Sequence, residues 1–373
     1  MLKQYEDKLY GCRFCPMCKP TGEVANLTQF ESHTTRARAM MLWRILQGAI
    51  GWTPRAVELL YQSTLDSISE AWCVSHYPVS AYVLAARAEV YAAGLAPEAV
   101  RRALAVSAPA AAGGPCDALL LAGEIAEWGD EALAAPALSA LQRAGAVARP
   151  AFAHSGALAY TLGAHDKARE QAAQVAALIR DSGARTVIAD GPQTLWALRC
   201  VYPVLGSELP AGITVVSLLE YLADALRAGE LTVPNQVGDR ALLHDSRATA
   251  LLADTLPLAE AIQPGYTGDE AKLGAGAIYD APRALARALG IDTLYSVWTR
   301  ALSRSSGADD GLWRTYPALA DGLARQRLQA ARDLGAALVV TDSALHAAHL
   351  GRFAGEFDLQ IRWLAELLAD VAP

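Results

Sequence analysis

Three cysteines crowd into one short stretch, Cys12-Arg13-Phe14-Cys15-Pro16-Met17-Cys18. This C-x2-C-x2-C spacing lets a single loop wrap three irons of a cubane [4Fe-4S] cluster. A fourth thiolate is required. In a bacterial ferredoxin run it would come after three more residues, and here that position is Gly22. In two-cluster ferredoxins the fourth cysteine of each run ligates the other cluster, so the missing ligand is expected at the end of a second run. Reading back from Cys73 by the same spacing places Ser69, Asp66 and Ser63 where that run's first three cysteines would stand. One complete set remains, Cys12, Cys15, Cys18 and Cys73, and the other is wholly missing. These four are the expected cofactor and metal ligands of one [4Fe-4S] cluster.

Two alternatives use the same residues. A zinc ion could sit on the loop with His33 or His76 completing its shell, although zinc more often takes two separated CxxC knuckles or Cys/His mixtures. Cys73 could instead be a buried thiol, as Cys116 and Cys200 are expected to be.

Composition sets the frame for this chemistry. The chain has 373 residues, a net charge of -7, 53% hydrophobic and 19% charged residues, and mean hydropathy of +0.18. That excludes a disordered chain, and 29 Gly with 18 Pro are too few for a fibrous one. With an acidic balance and no long Lys/Arg tract, nucleic acid is not an expected partner. Charges interrupt every apolar stretch approaching the roughly 20 residues of a spanning helix, so no membrane span is expected. The charged N-terminus, Met1 to Lys8, lacks a secretory h-region, and the expected location is cytoplasmic. Six cysteines in so long a chain make no disulfide framework.

The elements that must position the loop fall into three regions. Residues 1–106 read as the cysteine loop followed by helices, including Arg36 to Gln47 and Ala81 to Ala93. An Ala/Pro/Gly stretch from Ser107 to Pro115 reads as a linker. Beyond it, short apolar runs alternate with helical patterns, with strands expected at Asp117–Leu121, Thr186–Ala189, Ile213–Val216, Ala241–Leu243, Thr293–Tyr295 and Ala337–Val340. Gly183-Ala184-Arg185-Thr186-Val187-Ile188-Ala189-Asp190 aligns with Gly335-Ala336-Ala337-Leu338-Val339-Val340-Thr341-Asp342, and Glu220 to Asp224 aligns with Glu366 to Asp370. The expected fold is therefore α/β: an N-terminal helical domain, 1–106, followed by two homologous α/β repeats, 115–232 and 233–373, with mainly parallel sheets.

The cysteine run, followed by Glu31-Ser32-His33-Thr34-Thr35-Arg36-Ala37-Arg38, resembles the opening of the iron-sulfur subunits of glycolate oxidase and lactate utilisation and of heterodisulfide reductase-related proteins. There a Glu-Ser and a PRGR-like element follow the first cluster loop; here Thr35 and Ala37 replace the Pro and Gly. The resemblance implies a ferredoxin-like domain and two CCG-type domains, over nearly the whole chain. It also brings departures. His154-Ser155-Gly156 and Ser305-Ser306-Gly307 stand where each half of the family carries Cys-Cys-Gly, and His244-Asp245-Ser246-Arg247 replaces an HDPC-like element. The cysteines expected around Asp342 to His346 are missing as well. Clusters held by those cysteines cannot form here, and no heterodisulfide chemistry is carried over.

The vacated positions hold His154, His244, Asp245, Asp342, His346 and His349, some of which could converge if the two halves face each other. His346 and His349, at i,i+3, could face one way on a helix. Lys272-Leu273-Gly274-Ala275-Gly276-Ala277 is too weak a Gly-x-Gly for a phosphate site, and P-loop, nucleophile-elbow, zincin and radical-SAM spacings are absent.

The expected function is that of a [4Fe-4S] electron-transfer subunit in an oxidoreductase complex, itself non-catalytic. The resemblance implies a flavoprotein dehydrogenase (FMN or FAD) as electron donor, oxidising a hydroxy acid or methylated amine, with an electron-transfer flavoprotein as a further partner. Phe14, Pro16 and Met17 are expected to shield the cluster, and Arg13 and Lys19 to set the docking potential. The alternatives are an assembly subunit with a structural cluster, and an enzyme using the cleft between the degenerate repeats.

Overall fold

The computed structural model describes residues 1–12, 15–65, 67–73, 75, 77–106, 111–112, 114–233, 237–252 and 277–370. Its N-terminal region is helical. The helix Thr35–Leu46 begins where the Thr34 side chain accepts from the Ala37 N–H, and Pro54–Tyr61 begins with Thr53 accepting from Ala56 and Pro54 in the first turn. The alanine-rich helix Val79–Ala92 is buried through most of its length. In its middle, the fully buried Arg87 donates to the carbonyls of Leu60, Ser63 and Thr161. Its guanidinium joins the helical region to the following α/β region, and burial pulls its pKa down to about 10. Gly163, at φ +87, lies there because a Cβ would come within 2.4 Å of the Arg87 carbonyl oxygen.

Two sheets follow. The first contains β1 (Ala111–Ala112), β2 (Ala118–Leu121), β3 (Ala148–Phe152), β4 (Thr186–Ala189) and β5 (Thr214–Ser217), in the order β1-β3-β2-β4-β5. The second contains β6 (Arg240–His244), β7 (Asp292–Thr293), β8 (Leu338–Thr341) and β9 (Gln360–Trp363), in the order β7-β6-β8-β9. All pairs are parallel except β1 with β3. With β1 set aside, both sheets have their strands in the same order, second, first, third, fourth. The fold is α/β with mainly parallel sheets.

Alternation along the strands builds separate cores. Leu119, Leu121, Val187 and Ala189 face the core shared with the N-terminal helices. Leu120 and Ile188 face the opposite side and share a core with Ala241, Leu243, Leu338 and Val340 of the second sheet. Leu242 and Val339 face a third core with Leu328 and Leu350. The helices between the sheets pair reciprocally. Leu218–Ala228, after β5, packs on Ala277–Ala288, before β7; Leu364–Asp370, after β9, packs on Ala134–Arg143, before β3. Such reciprocity is what a twofold relation between the halves produces.

Several expectations shift. The stretch expected as a linker contributes β1, where Ala111 and Ala112 pair with Phe152 and Ala151; residues 107–110 and 113 lie outside the described ones. The strand expected at Thr293–Tyr295 ends at Thr293, and Tyr295 is exposed. Strands β3 and β9 were not expected. Pro150 and Arg149 disguise β3 by breaking its apolar pattern. In β9, Gln360 and Arg362 break the apolar run. The run Lys272 to Gly276 lies outside the described residues.

Candidate functional site

The cysteine loop hangs between short helices. Cys12 closes the helix Glu6–Gly11, its N–H donating to the Lys8 carbonyl at 3.1 Å. The Cys18 carbonyl accepts from Thr21 Oγ1 at 3.0 Å, and Cys73 follows the helix Ser67–Trp72 with its N–H on the Glu70 carbonyl at 3.2 Å. The Cys12 thiol is pushed up to about 12, first by burial and then by the charges of Cys18, Cys73 and Cys15. Cys18, Cys73 and Cys15 therefore lie in the neighbourhood of Cys12, and none of the four is in a disulfide.

A buried thiol beside other cysteines suits a site completed by a cation. Among the described residues no three His, Cys, Asp or Glu side chains converge tightly enough for a single metal ion. Zinc, with Zn–S bonds of about 2.3 Å, would demand such convergence. A cubane places each thiolate on a different corner and so tolerates wider spacing. Four cysteine sulfurs are the donor set that a cubane takes, and one that a structural zinc takes as well. His33 is otherwise engaged, with Thr28 Oγ1 at 2.6 Å from Nδ1 and Gln62 Oε1 at 3.0 Å from Nε2. Arg13, Phe14 and His76 lie outside the described residues.

Pro16 and Met17 are exposed, and Cys12 is packed against the core beneath the loop. Lys19 pairs with Glu31 at 3.1 Å, and Glu31 also binds Arg36. Cys116 and Cys200 are half-buried and packed against the first core.

Where the second ferredoxin run would lie, hydroxyl groups fill the space. Ser69 Oγ is 3.0 Å from both Thr21 Oγ1 and Thr35 Oγ1, all three residues being buried. Ser63 is buried too, its carbonyl taken by Arg87. Gly22 precedes the helix Glu23–Thr28, and Asp66 lies outside the described residues. The buried Glu23 accepts from the Ser305 N–H at 2.6 Å and from Thr64 Oγ1, tying this region to the second sheet.

The other polar concentration lies where the halves meet. In each sheet the chain reverses direction between its first and third strands, and the crevice at the carboxyl ends of those strands is where such folds place ligands. Beyond β2 and β4 lie Glu124 and Asp190; beyond β6 and β8 lie His244, Asp245 and Asp342. Asp190 accepts from the N–H groups of Glu124 and Ile125 and from Thr194 Oγ1. Asp342 accepts from the Ser246 N–H at 2.9 Å and Thr249 Oγ1 at 2.8 Å. The Ser343 hydroxyl donates to the Glu124 carboxylate across the junction, and the Gln193 N–H donates to it at 2.6 Å. Burial raises all three carboxyls: Asp190 to about 6, Asp342 to about 7 with Asp245 adding repulsion, and Glu124 well above its ordinary value with Asp190 adding repulsion.

A buried chain of groups continues from there. Arg327 Nε donates to His244 Nδ1 at 3.2 Å, which leaves the proton of a neutral His244 on Nε2, 3.0 Å from His346 Nδ1. Ser306 Oγ is 2.8 Å from the same Nδ1, and His346 Nε2 lies 3.4 Å from Asp309 Oδ1. Ser305 donates to Asp309, and Arg247 forks onto Asp310. Burial, then Arg327, holds His244 well below the usual imidazole range; burial also lowers His346.

Of the vacated-position candidates, the structure brings His244 and His346 together and sets Asp342 nearby. Asp245 turns to Arg283, at 2.9 and 2.8 Å. His154 stands apart, with Gln171 Nε2 at 3.3 Å and Glu127 Oε1 at 3.5 Å, and burial pushes it down to about 4. His349 shares a helix with His346 but packs edge-on to Trp128. The cavities that Asp190, Thr249 and Asp342 line, and that Arg247, Asp309 and Asp310 line, are about 10 Å³ each. Each admits at most one water, so the described cleft is filled.

Sequence reasoning missed Glu124, Asp190, Arg327 and the Asp309-Asp310 pair. Asp190 had a signal, because it ends the aligned segment exactly as far along as Asp342 does. No family model matches the chain. No curated protein matches it either. Among solved structures, a hypothetical protein from Helicobacter pylori is similar in fold, with a TM-score of 0.60 over 99% of this chain and 75% of that one, at 12% identity. At that identity the likeness is one of fold alone.

Proposed function

We propose that this chain carries one [4Fe-4S] cluster on Cys12, Cys15, Cys18 and Cys73 and works as a cytoplasmic electron-transfer subunit. Its donor is a flavoprotein dehydrogenase with FMN or FAD, and an electron-transfer flavoprotein is a further partner. The supporting observation is that Cys73, from a distant segment, comes within electrostatic reach of Cys12 together with Cys15 and Cys18. When bound, the cluster takes up and releases one electron at a time. The chain's own part is to hold the thiolates, bury Cys12, and leave Cys15 at the surface facing a partner.

Anaerobic reconstitution with iron and sulfide tests the ligand set. Wild-type protein should bind four of each per chain and give the spectrum of a cubane. Cys73→Ala should lose it, while Cys116→Ala should keep it. Wild-type iron and sulfide in the Cys73 variant would overturn the assignment. A reconstituted cluster that no copurifying flavoprotein reduces would overturn the electron-transfer role and leave the ligand set standing.

A further inference from the structure

A cavity of about 350 Å³ opens at the outer edge of the second sheet. Its cause is the short edge strand. In the first sheet β3 pairs with all of β2, from Ala118 to Leu121, whereas β7 pairs only with Arg240 and Ala241 of β6. Past Ala241 the edge of β6 is left without a strand partner on this side among the described residues, and Leu242 and Leu243 form the floor of the cavity.

Three arginines face that space, Arg283 and Arg287 from the helix Ala277–Ala288 and Arg300 from the segment after β7. Hydroxyls of Thr293, Ser296 and Thr299 join them, and no acidic side chain is among the lining residues. The wall is organised from behind. Asp245 accepts from both Arg283 Nη atoms, from Thr299 Oγ1 at 3.1 Å and from the Arg300 N–H at 2.7 Å. Arg300 is held at φ +52, a conformation uncommon for any residue but glycine, so the fold fixes where its side chain starts. Its carboxylate neighbour, Asp280, is 3.9 Å away and well exposed. Arg287 is exposed at the rim, and Tyr295 is 80% exposed.

We propose that this cavity binds a small organic anion, its carboxylate or phosphate held by Arg287 and Arg300 and its body lying against Leu294 and Tyr295. The volume suits a small metabolite. Planar guanidinium groups recognise both oxyanions through paired hydrogen bonds, and the preset Arg283–Asp245–Thr299 wall spares the ligand the entropy of ordering them. None of the four cysteines lines this cavity, so the site does not depend on the cluster.

Calorimetric titration of the full chain with citrate, glycerol 3-phosphate and inorganic phosphate, with glycerol as neutral control, tests the proposal. At least one anion should bind, and glycerol should not. Arg287→Gln and Arg300→Gly should each weaken that binding about tenfold or more. Arg300→Gly replaces a positive-φ arginine by the residue that prefers this conformation, so its thermal midpoint should hold and separate lost binding from lost folding. Citrate binding alone assigns a carboxylate ligand, and binding of the phosphate compounds alone assigns a phosphate. Wild-type protein that takes up no anion, or variants that bind as wild type does, would overturn the site.

Discussion

The two α/β halves share their backbone devices and differ in what fills the space around them. In both, an Asp at the end of the third strand, Asp190 or Asp342, accepts from the start of the helix after the first strand. A positive-φ glycine, Gly156 or Gly307, packs against the helix Ala168 or Ala320 belongs to. These are the places where unpaired helix-end N–H groups and close backbone approach leave little choice. The fillings differ. Asp190 spends both oxygens on donors, while Asp342 Oδ1 has no partner among the described residues. The residue that follows is Gly191 in one half and Ser343 in the other, and the second parallel strand, β3 or β7, is long in one and short in the other. The duplicated geometry thus constrains the backbone more tightly than the side chains.

The glycines offer the sharpest contrast. A Cβ on Gly307 would lie 2.1 Å from the Ala320 carbonyl oxygen, whereas one on Gly156 would lie 3.1 Å from that of Ala168. Both pay the left-handed penalty of about 1–2 kcal/mol, but only Gly307 adds a backbone clash that no side-chain rotation relieves. Gly307→Ala should cost about 3 kcal/mol or more, and Gly156→Ala about 1–2 kcal/mol, in denaturant unfolding. Equal losses would mean that the two glycines are packed alike.

Much of this scaffold was legible in the chain itself. Runs such as Leu119-Leu120-Leu121 and Val187-Ile188-Ala189 are apolar because parallel strands are covered on both faces. The helices opening at Thr35 and Val79 were legible from periodicity to within two residues. Strand β3 was not, since Arg149 and Pro150 break its apolar pattern and a proline argues against a strand interior. The loop cysteines announced themselves by spacing, whereas Glu124 carried no local mark. Its partners Gln193 and Ser343 come from elsewhere in the chain, and only the meeting of the halves buries it.

That meeting can be tested by exchange. Glu124 reaches between the two Asp-X turns. A Cβ on Gly191 would come within 2.4 Å of its carboxyl, which Gln193 and Ser343 hold in place. Gly191→Ser, copying the second half into the first, should destabilise by about 1–3 kcal/mol through overpacking. The reverse exchange, Ser343→Gly, removes one hydrogen bond to a buried carboxyl and adds backbone freedom, for about 1–2 kcal/mol. Thermal unfolding of the two variants should rank them in that order; a costlier Ser343→Gly would place the tighter packing in the second half.

The smallest effect is expected at Asp342, and its sign depends on pH. Both donors to this carboxyl, Ser246 N–H and Thr249 Oγ1, go to Oδ2. In Asp342→Asn the amide oxygen can keep those donors while the NH2 takes the unpartnered position, so stability at pH 5 should stay within about 1 kcal/mol of wild type. Burial, then Asp245, raises the folded-state pKa to about 7 from an ordinary 3.8. Between those values the folded state binds the extra proton, so the wild type loses stability as pH rises through this window and levels off above about 7. The asparagine has no proton to lose and escapes that decline. Relative to wild type, Asp342→Asn should therefore gain stability from pH 5 to about pH 7 and hold that gain to pH 8, measured as the difference in denaturant midpoints. A difference that stays flat across that range would mean that Asp342 ionises as freely in the folded protein as in the unfolded chain, and that its missing partner is supplied by a group the carboxylate can use.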